Sequence, residues 1–169
     1  KKKIFCSRDR FGVKPFYYYY DGTNFIFGSE IKQLLEYPFI KRYANERAIY
    51  EFLAFSAVEY CEETFFQYIK RLMHGHNLAI NIENMQLDIK KYYNPKFSIN
   101  QNISFDEASR KFGDLLYDSI KLQLRSDVEV GSCLSGGLDS SSIVCIMNNI
   151  LKTDAKSSIQ STFSTHFSE

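Results

Sequence analysis

The sequence lacks several features that mark whole classes of protein. Its 21 Lys and Arg residues against 20 Asp and Glu residues leave a net charge of +1, so no basic excess indicates a nucleic-acid surface. No apolar run is long enough to cross a membrane, and the lysines at 1–3 precede too short an apolar stretch for a signal peptide. We therefore expect small-molecule partners, and neither nucleic acid nor membrane.

Paired cysteines are also lacking. The four cysteines, Cys6, Cys61, Cys133 and Cys145, form no C-x-x-C pattern. Cys6, Cys133 and Cys145 lie within apolar runs, which predicts reduced core thiols in a cytoplasmic protein. Cys6 has no histidine near it in sequence, so we do not expect it to act as a nucleophile.

Aromatic and β-branched residues are plentiful in the first part of this 169-residue chain. Strands are expected at 4–8, 16–20 and 25–27, the last two joined by a tight Asp21-Gly22 turn, and a second hairpin at 76–82 and 87–92. The four consecutive tyrosines are expected to form a strand with one buried and one half-exposed face. Short helices are expected at 29–35, capped by Ser29, and after a cap at Asn45. Residues 4–93 should form an antiparallel sheet layer.

A polar stretch at 94–102 reads as a linker to a different kind of structure. Ser104 begins a capping box, and apolar residues recur at helical spacing from 108 to 124. This helix is expected to pack on a sheet formed by a strand at 128–134 and a second parallel strand at 159–165. With a helix at 140–151 between them, these strands would complete a right-handed βαβ unit.

The segment Ser135-Gly136-Gly137-Leu138-Asp139-Ser140 stands between the predicted strand and helix. A strand, a glycine turn and a helix start make an anion site, because the first helical N–H groups lack partners and point out of the helix end. The segment has neither the lysine of G-x-x-x-x-G-K-[ST] nor the pattern G-x-G-x-x-G. A carboxylate beside a polyphosphate makes sense if Mg²⁺ lies between them. The alternative is a tight turn in which Asp139 caps the helix.

His74 and His76 have the spacing of a metal pair. No third ligand lies nearby in sequence, so a turn with two ordinary histidines is favoured. We expect no metal there.

Two separate motifs resemble one family. Residues 135–140 resemble the pyrophosphate loop of ATP-pyrophosphatases, and the lead-in at 126–131 is similar to that of glutamine-hydrolysing asparagine synthetases. Residues 8–18 (RDRFGVKPFYY) and 29–35 (SEIKQLL) resemble the end of the glutaminase domain of the same enzymes. The resemblance implies an α+β glutaminase remnant with an Ntn-type antiparallel sheet at 1–95. It implies the first βαβ part of an α/β adenine-nucleotide α-hydrolase-like domain at 96–169.

The resemblance also implies a chemistry. These enzymes convert aspartate to asparagine through aspartyl-adenylate, splitting ATP into AMP and pyrophosphate and using ammonia from glutamine. It places adenine at the main chain of Leu134 and Thr165, and Mg²⁺ at Asp139 through the pyrophosphate. The pyrophosphate itself would be held by Ser135, Gly136, Gly137, Asp139 and Ser140. His166 departs from the small residue usual in the family and is expected to reshape the adenine pocket.

The family's N-terminal nucleophilic cysteine has no counterpart here, so no catalytic residue is assigned. We expect the chain to be a middle piece of a longer enzyme and to be inactive alone. The complete enzyme is expected to form a homodimer. Two alternatives stay open. One is a relative acting on another carboxylate, such as a β-lactam synthetase, and the other is a non-catalytic nucleotide-binding remnant.

Overall fold

A computed structural model describes residues 2–99, 101–153 and 160–166. It forms two compact units, Lys1–Phe97 and Ser98–Glu169. Each unit is described by itself.

The first unit contains two three-stranded antiparallel sheets, with strand orders β1-β5-β6 and β3-β2-β4. The expected single sheet layer is therefore two sheets. Its elements are β1 (Lys3–Ser7), β2 (Tyr17–Tyr20), β3 (Phe25–Gly28), α1 (Ile31–Leu34), α2 (Glu46–Phe55), β4 (Ile69–Arg71), β5 (His76–Asn81) and β6 (Leu87–Lys91).

The tyrosine strand β2 is the central strand of its sheet and carries core on both faces. Tyr18, which is 3% exposed, packs with the buried Leu72 and Leu78. Tyr17 and Tyr19 point the other way, toward a cluster built on Leu34, Ile40 and Ile69. Side chains alternate along a strand, so one tyrosine run serves two apolar layers. The predicted buried face is confirmed by Tyr18, whereas the face predicted to be half-exposed also packs against an apolar cluster.

Two local predictions need correction in this unit. Tyr20 pairs with Phe25, so the hairpin has a four-residue loop and not a two-residue Asp-Gly turn. Asp21 causes this, since its Oδ1 accepts hydrogen bonds from the main-chain N–H groups of Thr23 and Asn24 at 2.9 and 2.7 Å.

Helix α1 is capped at Glu30 and not at Ser29. By contrast, Asn45 caps α2 as predicted, through Ala48 N–H at 3.3 Å.

The second unit contains α3 (Phe105–Gln123), β7 (Gly131–Cys133), α4 (Leu138–Thr153) and β8 (Ser161–Phe163). β7 and β8 are parallel and flank α4 in sequence, which confirms the βαβ order. Both strands are shorter than predicted and α4 begins two residues earlier, at Leu138. Residue 159, the predicted start of the second strand, lies outside the described residues.

Helix α3 begins as predicted, with the Ser104 side chain accepting from Glu107 N–H at 3.2 Å. Its packing differs from the prediction, because α3 packs mainly on α4 and not on the sheet. Ile120, Met147 and Ile150 form the buried contact between the two helices. The β7–β8 pair is only three residues long, too short to offer an apolar platform to a 19-residue helix.

Cys6, Cys133 and Cys145 were all predicted to lie in the core, and this is correct only for Cys6, in the first unit. Cys6 is buried, whereas Cys133 and Cys145 are exposed. Few side chains of the second unit are buried, so cysteines flanked by apolar residues in the sequence are not buried there.

Candidate functional site

The serine-glycine loop (residues 135–140) follows the carboxyl end of β7. Leu134, just before it, donates its N–H to Phe163 O at 2.8 Å, and its carbonyl accepts from Ser164 Oγ at 2.7 Å. Both main-chain groups of Leu134 are therefore tied to the end of β8. Ligands of open α/β sheets bind beyond such strand ends.

The hydroxyl of Ser140 closes the serine-glycine loop. Its Oγ accepts from Ser135 N–H at 3.2 Å, donates to Gly137 O at 3.2 Å and lies 2.9 Å from Ser135 Oγ. Gly137 N–H in turn donates to Ser135 Oγ at 3.4 Å. The hydroxyls of Ser135 and Ser140 thus bind the N–H groups and the carbonyl of their own loop. A bound anion would compete for these N–H and hydroxyl donors.

Gly136 supplies the backbone bend of the loop. Its φ is +82°, in the left-handed region that favours glycine. A Cβ built on Gly136 would meet nothing within 4 Å, whereas one on Gly137 would lie 3.5 Å from Ser135 Oγ. Gly136 is therefore required by its conformation and not by crowding. The space beside it is open to atoms of a ligand.

The loop runs directly into the start of the 16-residue helix α4. The first i→i−4 bond joins Ser141 N–H to Gly137 O at 3.1 Å, so the preceding helical N–H groups lie at the free end of the helix. Asp139 is exposed and lies in the first turn, one residue inside the helix. It is not the N-cap residue that the alternative interpretation required, although its charge there suits the helix dipole.

The second strand end supplies Thr165 and His166, both exposed. Thr165 follows Ser164 at the end of β8, which pairs in parallel with β7 so that Cys133 lies opposite Phe163. Sequence reasoning missed Ser164, whose hydroxyl joins the two strand ends. The predicted strand at 159–165 included Ser164, so no sequence signal indicated that this hydroxyl lies just beyond the strand end at Phe163.

In the first unit, the motif at residues 8–14 is held by two side chains. The buried Arg8 guanidinium donates to Lys14 O at 2.9 Å, Leu72 O at 2.7 Å and Gly12 O at 3.2 Å. Asp9 accepts from the N–H groups of Phe11, Val13 and Lys14, at 3.1, 2.9 and 3.0 Å. Hydrogen bonds to the main chain, that from Lys14 foremost, lower the pKa of Asp9 below its ordinary value. The motif is a loop held by these hydrogen bonds, and it presents Phe11 and Val13 to solvent.

The histidine pair forms a turn, as predicted. Gly75 between them has φ of +65°, and His76 Nδ1 lies 2.8 Å from the His74 carbonyl. Within residues 2–99, 101–153 and 160–166, no three His, Cys, Asp or Glu side chains cluster as a metal site would need. No helix in these ranges is long and apolar enough to cross a membrane.

Sequence comparison assigns both units. Residues 1–93 match the glutamine amidotransferase domain, and the chain belongs to that family. Residues 111–169 match the asparagine synthase family. The order of the two matches is that of the glutamine-hydrolysing asparagine synthetases, as the two sequence motifs had indicated.

Two of the relatives carry the name asparagine synthetase, and a more distant one is named an amidase. The chain is 41% identical over 155 residues to a provisionally named glutamine-hydrolyzing asparagine synthetase 2 of Methanocaldococcus jannaschii, covering 87% of this chain and 29% of the relative. It is 35% identical over 166 residues to asparagine synthetase [glutamine-hydrolyzing] 3 of Bacillus subtilis, covering 98% and 26%. It is 26% identical over 160 residues to amidase chry2 of Gibberella zeae, covering 92% and 23%. The chain thus spans between a fifth and a third of the length of these relatives.

Proposed function

We propose that the complete protein to which this chain belongs makes asparagine from aspartate, ATP and glutamine. Aspartate would be activated as aspartyl-adenylate, and glutamine-derived ammonia would displace AMP. The observation that carries the proposal is the serine-glycine loop, placed between a parallel strand and a helix N-terminus with open space beside Gly136. The asparagine synthase match over the same residues supports it.

The residues present fit a triphosphate. Ser135, Gly136, Gly137 and Ser140 would hold the pyrophosphate part, using hydroxyls and the N–H groups at the start of α4. The main chain at Leu134 and Thr165 would meet adenine. Because the Leu134 carbonyl already accepts from Ser164 Oγ, the adenine contact would have to share that carbonyl or displace the Ser164 hydroxyl.

Asp139 would face Mg²⁺ through the pyrophosphate. A single exposed carboxylate suits this ion, which is commonly held by one or two carboxylates together with phosphates and water. When bound, the ion offsets the phosphate charge as pyrophosphate leaves. Asp139 supplies the carboxylate that keeps the ion beside the loop.

The wider setting completes the proposal. The first unit, taken as residues 1–95, would belong to the domain that releases ammonia from glutamine, and residues 96–169 to the domain that consumes it. We place the protein in the cytoplasm as a small-molecule enzyme, with a homodimer as its assembly.

A second candidate is a related amidotransferase that activates another carboxylate. The similarity to a protein named amidase chry2 is the observation that favours this second candidate. The two candidates share the serine-glycine loop and differ in the acceptor, so assaying several carboxylates separates them.

The decisive experiment compares Asp139→Asn with Asp106→Asn in the complete protein. Asp106 is the matched control, since it is also an exposed aspartate in the first turn of a helix. Aspartate-dependent pyrophosphate release is followed across a magnesium titration, with thermal melting as the control for folding. We expect Asp139→Asn to shift the magnesium requirement upward at least tenfold and Asp106→Asn to leave it unchanged. Full activity of Asp139→Asn at low magnesium would refute the role of Asp139, and absence of pyrophosphate release in the parent protein with any carboxylate would refute the function.

A further inference from the structure

A separate cavity of about 200 Å³ lies in the first unit, between α2, the segment that follows it and strand β4. Its apolar wall includes Ile31, Ala48, Val58 and Phe65. It is smaller than the pockets that take drug-sized molecules, so it suits a small metabolite. All its lining residues belong to the first unit, and it shares no residue with the serine-glycine loop.

Arg71 is the cationic group of this cavity. It is only 8% exposed, and its Nε is a buried polar atom with no hydrogen-bond partner among the described residues. The other guanidinium nitrogens make long contacts, from Nη1 to Cys61 O at 3.5 Å and from Nη2 to Glu59 Oε1 at 3.7 Å. A buried donor without an acceptor is costly, and a carboxylate oxygen is the acceptor that best matches a guanidinium.

The same cavity is lined by three carboxylates, and they differ in how fully they are paired. Glu51 is bound to Arg47 at 3.0 Å and accepts from the Tyr60 hydroxyl. These hydrogen bonds, with that of Tyr60 first, lower the pKa of Glu51. Glu63 accepts a neutral hydrogen bond from Asn45 Nδ2 at 3.3 Å. It also interacts electrostatically with Arg47, but within the described residues it forms no direct ion pair. Glu63 is therefore the carboxylate best placed to attract a cation.

A simple anion would meet Arg71 but be repelled by the glutamates, and a simple cation would leave Arg71 Nε unpaired. A molecule with both charges satisfies both groups. We propose that this cavity binds a small zwitterionic amino acid with an apolar side chain. Its carboxylate accepts from Arg71, its ammonium lies toward Glu63, and its side chain lies against the apolar wall. This site is additional to the substrate sites of the proposed function and does not depend on them.

The test uses three matched probes that share the same four-carbon isobutyl group. L-valine carries both charges, isovalerate is the same molecule without its ammonium, and isobutylamine is the same molecule without its carboxylate. L-leucine extends the series by one methylene. Binding to the purified protein is measured by titration calorimetry at constant pH and salt. We expect L-valine or L-leucine to bind, and both half-molecules to bind at least tenfold more weakly than L-valine.

Two variants locate the site, and a third is the control. Arg71→Met and Glu63→Gln should each weaken amino-acid binding at least tenfold. Glu62→Gln should not, because Glu62 is the neighbouring carboxylate, pairs with Lys70 at 2.6 Å and does not line the cavity. Circular dichroism checks that each variant is folded. If Arg71→Met unfolds, the Glu63→Gln variant and the probe series still test whether the amino acid binds in this cavity.

Three results would overturn the proposal. The first is that neither amino acid binds to the folded protein at millimolar concentration. The second is that isovalerate or isobutylamine binds as tightly as L-valine. The third is that Glu62→Gln and Glu63→Gln have the same effect.

Discussion

Replacing Arg8 tests how far the motif at residues 8–14 depends on the buried guanidinium. The two shorter hydrogen bonds, to Leu72 O at 2.7 Å and Lys14 O at 2.9 Å, each join a charged donor to a carbonyl. Such bonds contribute about 1.5 to 3 kcal/mol each, and a buried carbonyl left without a donor costs about 1 to 3 kcal/mol. Part of this loss of stability is offset, because the variant no longer has to desolvate a buried guanidinium on folding. We expect Arg8→Met to lower the free energy of unfolding by about 3 kcal/mol.

Arg8→Lys should recover only part of that loss. An ammonium keeps the charge but cannot present the planar fork that reaches three separate carbonyls. Arg10→Met is the matched control, because Arg10 is exposed and lies 5.6 Å from the Tyr93 ring centre. A contact of that kind contributes about 0.5 to 1 kcal/mol.

Urea unfolding followed by tyrosine fluorescence measures these changes. The chain has no tryptophan and 12 tyrosines, all but Tyr117 within the first unit, so the signal reports chiefly on the unit that contains Arg8. If Arg8→Met unfolds at the same urea concentration as Arg10→Met, the guanidinium does not hold the loop and the reasoning is wrong.

Asp9, the serine-glycine loop and the cysteines give three further predictions. Because the pKa of Asp9 is lowered, its stabilising effect is complete above its ordinary value of 3.8 and is lost as the pH falls through the lower folded value. Asp9→Asn should therefore flatten the acid limb of stability against pH in urea titrations, and an unchanged limb would contradict this. Gly136→Ala should cost about 1 kcal/mol in thermal melting because of its positive φ, whereas Gly137→Ala should cost less; equal costs would count against the conformational argument. Maleimide should label the exposed Cys133 well before the buried Cys6, whose pKa is raised by burial, and equal rates by mass spectrometry would exclude this packing.

Short-range features of this chain could be read from neighbouring residues. The caps at Asn45 and Ser104 depend on bonds to an N–H three residues further along, and the structure confirms both. The parallel βαβ order around the serine-glycine loop follows from an apolar run, a glycine pair and an apolar helix. Two separated motifs were also enough to indicate the family that sequence comparison then assigned.

Other features were decided only by tertiary contacts. Arg8 bonds to Leu72 across 64 residues, and Ser164 bonds to Leu134 across 30, so no local pattern signals either pair. Exposure of Cys133 depends on how little the second unit packs against it, and the cavity at Arg71 depends on where α2 and β4 come to lie. Hydrogen-bond partners distant in sequence are chosen by the packing of whole elements, which residue order alone does not specify.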